Sequence, residues 1–145
     1  MQIDLSRYPH RFPRDVHLHE TDAFGHLNNV SFVAYMEEAR FSLFRQMEIF
    51  DPKDLFTLEL ILAKIECEYR EIVRYGDKIT IYTRVLKIGS SSFTLEHLFL
   101  RDEDEAVVAR GRAVLVSFDH KRGQPKPLPE QLRKKLREYF GDPEG

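Results

Sequence analysis

At 145 residues the chain has the length of one domain, and a domain of that size buries about 70% of its unfolded-state surface, enough for one substantial core. A composition 42% hydrophobic and 32% charged, with a formal charge of −2, is that of an ordinary globular protein. It excludes any global pull toward nucleic acid or anionic membrane, so a basic patch has to be local. The single cysteine, Cys67, has no partner for an intramolecular disulfide and sits in an alternating segment, where it reads as a small buried hydrophobe in a reducing compartment. "MQIDLSRYPHRFPRD" lacks an apolar core of leader length, and nowhere do 18 apolar residues run together, so the expected location is the cytoplasm.

Taken in chain order, "FPRDVHLHETD" (12–22) predicts a first strand with Val16 and Leu18 on the face opposite Asp15, His17 and His19, ending at the turn "AFG". From Val30 to Met47 the apolar positions cover far more than a narrow stripe, which predicts a helix enclosed on most sides and stopped by "DPKD" (51–54). Period-two alternation then returns. Ile65, Cys67 and Tyr69 oppose Lys64, Glu66, Glu68 and Arg70, and "KITIYTRVLKI" repeats the pattern at Ile79, Ile81, Thr83 and Val85. "GSSS" turns the chain into "FTLEHLFL", "RDEDE" (101–105) forms an acidic hairpin, and "AVVARGRAVLVSFD" (106–119) is the last long strand. A prolyl linker leads to a short basic helix starting near Pro129. Strand, buried helix, four antiparallel strands and a tail helix make an α+β plan in a single domain over 1–145, with a core at about 12–120 and a tail helix at about 128–140.

Polar chemistry concentrates in "ETDAFGHLNN" (20–29). Asp22 lies just before Gly25 and the long helix, so its carboxylate is expected beside a helix N-terminus, where unpaired N–H groups and partial positive charge can hold a developing oxyanion. Asn28 or Asn29 is a credible helix cap, and a cap and a site can coexist. Glu20 could share a face with Asp22, but an exposed strand-end glutamate is the favoured reading. His17, His19, Glu20 and His26 do not show four-coordinate zinc spacing, and no metal site is expected.

"DAFGHLNN" at 22–29, followed by "FVAYMEEAR" at 32–40, resembles the Asp-x-x-Gly-His-x-Asn-Asn signature and ensuing helix of hotdog-fold acyl-CoA thioesterases, the 4-hydroxybenzoyl-CoA thioesterase-like family. The segments "ECEYREIVRYGDKITIYTRVLKIGSSSFTLEHLF" and "ARGRAVLVSFD" extend the resemblance over roughly residues 12–128. It implies a five-stranded antiparallel sheet wrapped around a central helix, and a homodimer or homotetramer with active sites at the subunit interface. It also implies roles: Asp22 as the catalytic carboxylate, Gly25 as the turn that admits substrate, and the backbone N–H near Asn29 as the donor that polarises the thioester carbonyl. His26 and Asn28 match polar motif positions whose roles vary between subfamilies. No cofactor or metal is implied.

Other residues carry two readings. Tyr35 either lines the acyl pocket or packs in the core. Glu37 and Glu38 sit in a helix expected to be mostly buried, where charges need partners, and Glu38 and Arg40 read as structural. Ser90, Ser91 and Ser92 lack any nucleophile-elbow pattern and form a hairpin turn, to which the resemblance adds contacts from Ser91 and Ser92 to the pantetheine or phosphates of CoA. Lys87, Arg110 and Arg112 supply local charge for the nucleotide end. "RKKLRE" (133–138) is a solvated helical face. The expected activity is hydrolysis of an acyl-CoA thioester, or that of an acyl carrier protein, to a carboxylic acid and free thiol. Two alternatives are a non-catalytic acyl-CoA-binding module and a hotdog hydratase or dehydratase.

Overall fold

The period-two segments pair into one antiparallel sheet with strand order β1-β3-β4-β5-β2, from β1 (His10–Asp15), β2 (Leu60–Tyr69), β3 (Lys78–Ile88), β4 (Ser92–Arg101) and β5 (Val107–Asp119). The computed structural model describes residues 3–140. Between β1 and β2 lies the long helix α1 (Asn29–Met47), and after β5 a two-residue strand β6 (Gln124–Pro125) and the tail helix α2 (Glu130–Arg137). β6 pairs with the end of β5 inside what the sequence presents as a plain linker. The α+β hotdog plan of five long strands, one central helix and a tail helix is the observed one.

α1 lays Phe32, Tyr35, Met36, Ala39, Leu43, Phe44 and Met47 against the sheet, all buried. Gly111 of β5 faces it at the closest approach: a Cβ there would stand 2.5 Å from Cε of Met36 and 3.2 Å from the Glu66 carbonyl oxygen. Gly111→Val should therefore cost about 1–3 kcal/mol through overpacking, and a Met36→Ala background should recover part of it, measured by urea unfolding of the single and double variants.

Three expectations need correction. The first strand ends at Asp15 rather than Asp22, because the His17 N–H donates to Glu20 Oε1 (2.9 Å) and the Glu20 N–H to the His17 carbonyl (3.0 Å), folding Leu18–Glu20 into a 3-10 turn. Val16 is buried, whereas Leu18 is 65% exposed, so the two do not share a face. α1 ends at Met47 as expected, and what stops it there is Glu48, left-handed (φ 56°) with its N–H on the Phe44 and Arg45 carbonyls, ahead of "DPKD". α1 is not, however, enclosed on most sides within one chain, since Val30, Ala34, Glu37, Glu38 and Arg45 are exposed along one open flank. Glu37 and Glu38 therefore meet solvent rather than a dry core.

The sheet's outer face is covered in part by the N-terminal segment, where Tyr8 packs with Leu98 and Leu100. The same face holds Glu96, 2% exposed, between Tyr8, Arg84 and Arg112. Cys67 is half-buried against the core on β2, and burial pushes its thiol up from the ordinary value. Among the described residues no helix is long and apolar enough to cross a membrane.

Candidate active site

The segment between β1 and α1 is built by short-range bonds. The Asp22 N–H donates to the His26 carbonyl (2.8 Å) and the Gly25 N–H to the Asp22 carbonyl (3.0 Å), with Gly25 at φ 74°, a conformation that favours glycine. Asp22 Oδ1 accepts from the N–H groups of Phe24 (2.8 Å) and His26 (3.2 Å). Oδ2 accepts no hydrogen bond from the described residues. The turn is anchored to a second loop, where the Leu27 N–H meets the Val73 carbonyl at 2.6 Å and the Tyr75 N–H meets the Gly25 carbonyl at 2.9 Å. Asp22 and Phe24 remain exposed.

Asn28 is the helix cap: its Oδ1 accepts from the Val30 N–H at 2.8 Å, and its carbonyl from the N–H groups of Ser31 and Phe32. The Asn29 N–H is left without an acceptor among the described residues. A free donor at the positive end of a 19-residue helix thus follows closely on a carboxylate turn. The Phe24 N–H, chiefly, and the His26 N–H and ring hold the Asp22 carboxyl below the usual carboxylate range, so it is ionised at neutral pH.

Behind this turn stands a network that local reading missed. Glu20 is no exposed strand-end residue, its side chain being only 10% accessible. Oε1 accepts from the Tyr35 hydroxyl (2.6 Å) and the His17 N–H, and Oε2 from the Arg14 guanidinium. Arg14 also pairs with Glu38 at 3.1 Å and lies 4.5 Å over the Tyr35 ring. The Glu20 carbonyl accepts from the Asn28 N–H (3.0 Å) and the Ser31 hydroxyl (2.8 Å). Glu20 therefore joins β1, the turn and the first turns of α1, with its carboxylate taken up by Arg14, Tyr35 and His17 while that of Asp22 is held by the Phe24 and His26 N–H groups, so the two share no partner. Residues 14, 20 and 35 carry no spacing signal that would join them in sequence. Tyr35, fully buried, packs in the core with its hydroxyl fixed to Glu20. Burial, then the bond to Glu20, raises its pKa. Tyr35→Phe removes a hydrogen bond to a charged group and should lower stability by about 1.5–3 kcal/mol in urea unfolding.

His17, His19 and Glu20 each bring one potential metal-ligand atom within 4.8 Å of the others. The donor set fits a cation poorly, because the Glu20 carboxylate already accepts from Tyr35 and His17 and is paired with the positive Arg14.

The remaining sequence-predicted residues are not brought to Asp22 within one chain. Lys87, Ser91 and Ser92 lie at the end of the β3-β4 hairpin opposite Arg101, whose guanidinium donates to the Ile72 carbonyl beside the Asp22 turn. Ten residues of β4 separate the two ends, on the order of 30 Å. The serine turn is itself covered by the tail, with Arg133 donating to the Gly89 and Ser90 carbonyls at 2.7 and 2.9 Å. Arg112 lies on the outer face, 3.4 Å from Glu96, and Arg110, two residues earlier on β5, has its buried Nε unpartnered there. A cleft of about 260 Å³ between the end of α1 and α2 is lined by Glu48, Ile49, Leu60 and Leu132, and Asp22 lies outside it.

An antiparallel sheet packed on one long helix, with an acidic turn at the helix N-terminus, defines a hotdog domain of the thioesterase type. The chain belongs to the Thioesterase-like superfamily, which residues 16–136 match. A thioesterase from Thermus thermophilus, complexed with coenzyme A and Zn, is 33% identical and superposes with a TM-score of 0.79 over 94% of this chain and 97% of that one. A predicted thioesterase from Bacillus stearothermophilus is 30% identical with a TM-score of 0.82, covering 90% of this chain and 96% of that one. Long-chain acyl-CoA thioesterase FadM of Escherichia coli K12 is 25% identical over 115 residues, 79% of this chain and 87% of FadM.

Proposed function

We propose that the protein hydrolyses an acyl-CoA thioester to a carboxylic acid and free CoA. The observation that carries this reading is the ionised, exposed Asp22 carboxylate held by two backbone N–H groups, next to the helix start where the Asn29 N–H is free. In this reading the thioester carbonyl oxygen accepts from the Asn29 N–H, which strengthens as negative charge develops. Asp22 acts as general base toward water or as nucleophile toward the carbonyl carbon, Gly25 keeps the turn open, and His26 helps place the water. Asn28 contributes by holding the helix cap. The names of FadM and of the coenzyme A-bound Thermus protein support the substrate class, and the single cysteine fits a reducing compartment such as the cytoplasm. A spectrophotometric assay of thiol release from a panel of acyl-CoAs tests it. Binding without release would favour an acyl-CoA-binding module, and water addition or loss along the acyl chain would favour a hydratase.

The active form in this reading is a homodimer or a dimer of dimers. Phe24, Val30, Tyr69, Ile72 and Tyr75 are exposed apolar side chains around the site, and Ile61 and Leu62 continue them along the unpaired edge of β2. A second copy would cover them and bring Lys87, Ser91, Ser92, Arg110 or Arg112 toward the CoA moiety. Light scattering should give twice or four times the chain mass; a fully active monomer at nanomolar concentration would remove the interface site.

A further inference from the structure

The sheet face beneath α1 is not apolar from end to end. Along β3 it reads Ile81, Thr83, Val85; along β4, Phe99, His97, Leu95; along β5, Ala109, Gly111, Ala113. Register aligns His10, Thr83, His97 and Gly111 in one row across four strands. α1 repeats the pattern, since Met36 and Ala39 belong to one apolar cluster and Leu43 to the other, with Arg40 between them. A polar belt thus divides the core into two halves. His10 and Arg40 are 3% exposed, and Thr83 and His97 are fully buried.

Few bonds satisfy this belt. Thr83 Oγ1 lies 2.8 Å from His97 Nδ1, and Ser42 Oγ 3.2 Å from His10 Nε2. His97 Nε2, His10 Nδ1 and Arg40 Nη1 are buried without a hydrogen-bond partner among the described residues. With the two hydroxyls donating to the ring nitrogens they touch, each imidazole carries its proton on the unpartnered nitrogen. Three donors then face the belt with no acceptor. Burial lowers the pKa of His10, and burial together with Arg40 and His10 brings that of His97 down to about 3, so both rings are neutral and the Arg40 guanidinium is the belt's one charge. The carboxylate that acts on Arg40, Glu37, is exposed to solvent.

We propose that the belt between α1 and the sheet binds one small monovalent anion, of halide or formate size, held by the Arg40 guanidinium and the ring N–H groups of His10 and His97. A single negative charge matches the single buried positive one, whereas a buried cation left uncompensated is strongly disfavoured. A divalent oxyanion would bring an unmatched second charge among the same buried groups. A carboxylate from a second copy is kept out because Arg40 is 97% covered by its own chain. The bound ion would tie the middle of α1 to β1 and β4, fixing the helix independently of what happens at its N-terminus.

Bromide is the probe. Crystals of the unmodified protein grown in sodium bromide should show an anomalous peak within hydrogen-bond reach of Arg40 Nη1. In solution, thermal unfolding should shift upward by about 3–5 °C for each tenfold rise in bromide beyond half-saturation, while sodium gluconate at equal ionic strength gives no such slope. Arg40→Met should abolish the bromide slope; if that variant does not fold, His97→Gln, which keeps the cation and alters one donor, should move half-saturation to higher bromide. A water without anomalous signal beside Arg40 overturns the proposal. So does a peak without the solution slope, which would mean binding at crystal concentration only. These readouts do not involve thioester hydrolysis and stand or fall apart from it.

Discussion

Asp22→Asn should lower kcat for acyl-CoA hydrolysis on the order of 10² to 10⁴-fold with little change in the unfolding midpoint. The amide keeps the shape of the side chain, and its carbonyl oxygen can still accept from the N–H groups of Phe24 and His26, so the turn survives. What it loses is the negative charge, which both chemical routes need. The sign of the pH dependence follows from the same contacts. Because the Phe24 N–H, above all, lowers the Asp22 pKa from its ordinary value, the wild-type rate should stay flat from neutral pH through the usual carboxylate range and fall only below it. The two routes separate in labelled water under single turnover. General-base attack puts the label in the free acid, whereas a mixed anhydride hydrolysed at its enzyme-side carbonyl puts it in Asp22; attack at the acyl-side carbonyl imitates the first result. The general-base route is the one proposed, so label recovered in Asp22 would overturn it. Wild-type activity in Asp22→Asn would remove the site altogether.

What could be read in the sequence was what short-range pattern encodes. β2 and β3 show a period of two because each turns alternate residues toward the core, Ile65 and Cys67 on β2 and Ile79, Ile81, Thr83 and Val85 on β3, whereas β4, buried on both faces from Leu95 to Leu100, shows none. The turn at Asp22 was legible for the same reason, since its bonds lie within four residues. The end of β1 was not, because Glu20 folds the strand's continuation into a turn through contacts with Arg14 and Tyr35, the latter 15 residues away. Nor was the open flank of α1: a wide apolar surface shows that a helix is covered, but not whether its own chain or a second copy does the covering. His97 interrupts the apolar face of "FTLEHLFL" in plain view, yet only the strand register brings His10 and Thr83 into its row, with Arg40 arriving from the helix. Arg110 and Arg112 show in the sequence as local charge, but Glu96, which pairs with Arg112 and feels the charge of Arg110, sits on a neighbouring strand and changes what that charge is available for.

Replacing the Glu96 carboxylate is expected to cost more stability than either Gly111→Val or Tyr35→Phe. Glu96 is 2% exposed on the outer face; Oε1 accepts from the Tyr8 hydroxyl at 2.7 Å and from Arg84 Nε at 2.9 Å, and Oε2 faces Arg112. Arg84 also lies 4.9 Å over the Tyr8 ring. Removing the side chain in Glu96→Ala leaves Arg84, 18% exposed, beside Arg110 and Arg112 without their anion, and breaking a buried ion pair from one side costs about 3–5 kcal/mol. Burial by itself would raise the Glu96 pKa, but the Tyr8 hydroxyl and the Arg84 and Arg110 charges outweigh it and the net shift is downward. A carboxyl lowered on folding contributes its stability fully above its unfolded pKa of about 4.3 and loses it as pH falls through the lower folded value. Glu96→Gln keeps an acceptor for Tyr8 but cannot titrate, so its deficit against wild type should be large at pH 7 and shrink as the solution is acidified below about pH 4. Urea unfolding of the wild type and both variants at neutral and acidic pH measures this. A glutamine deficit that stays constant across that range would mean that shape, rather than charge, holds the N-terminal segment to the sheet.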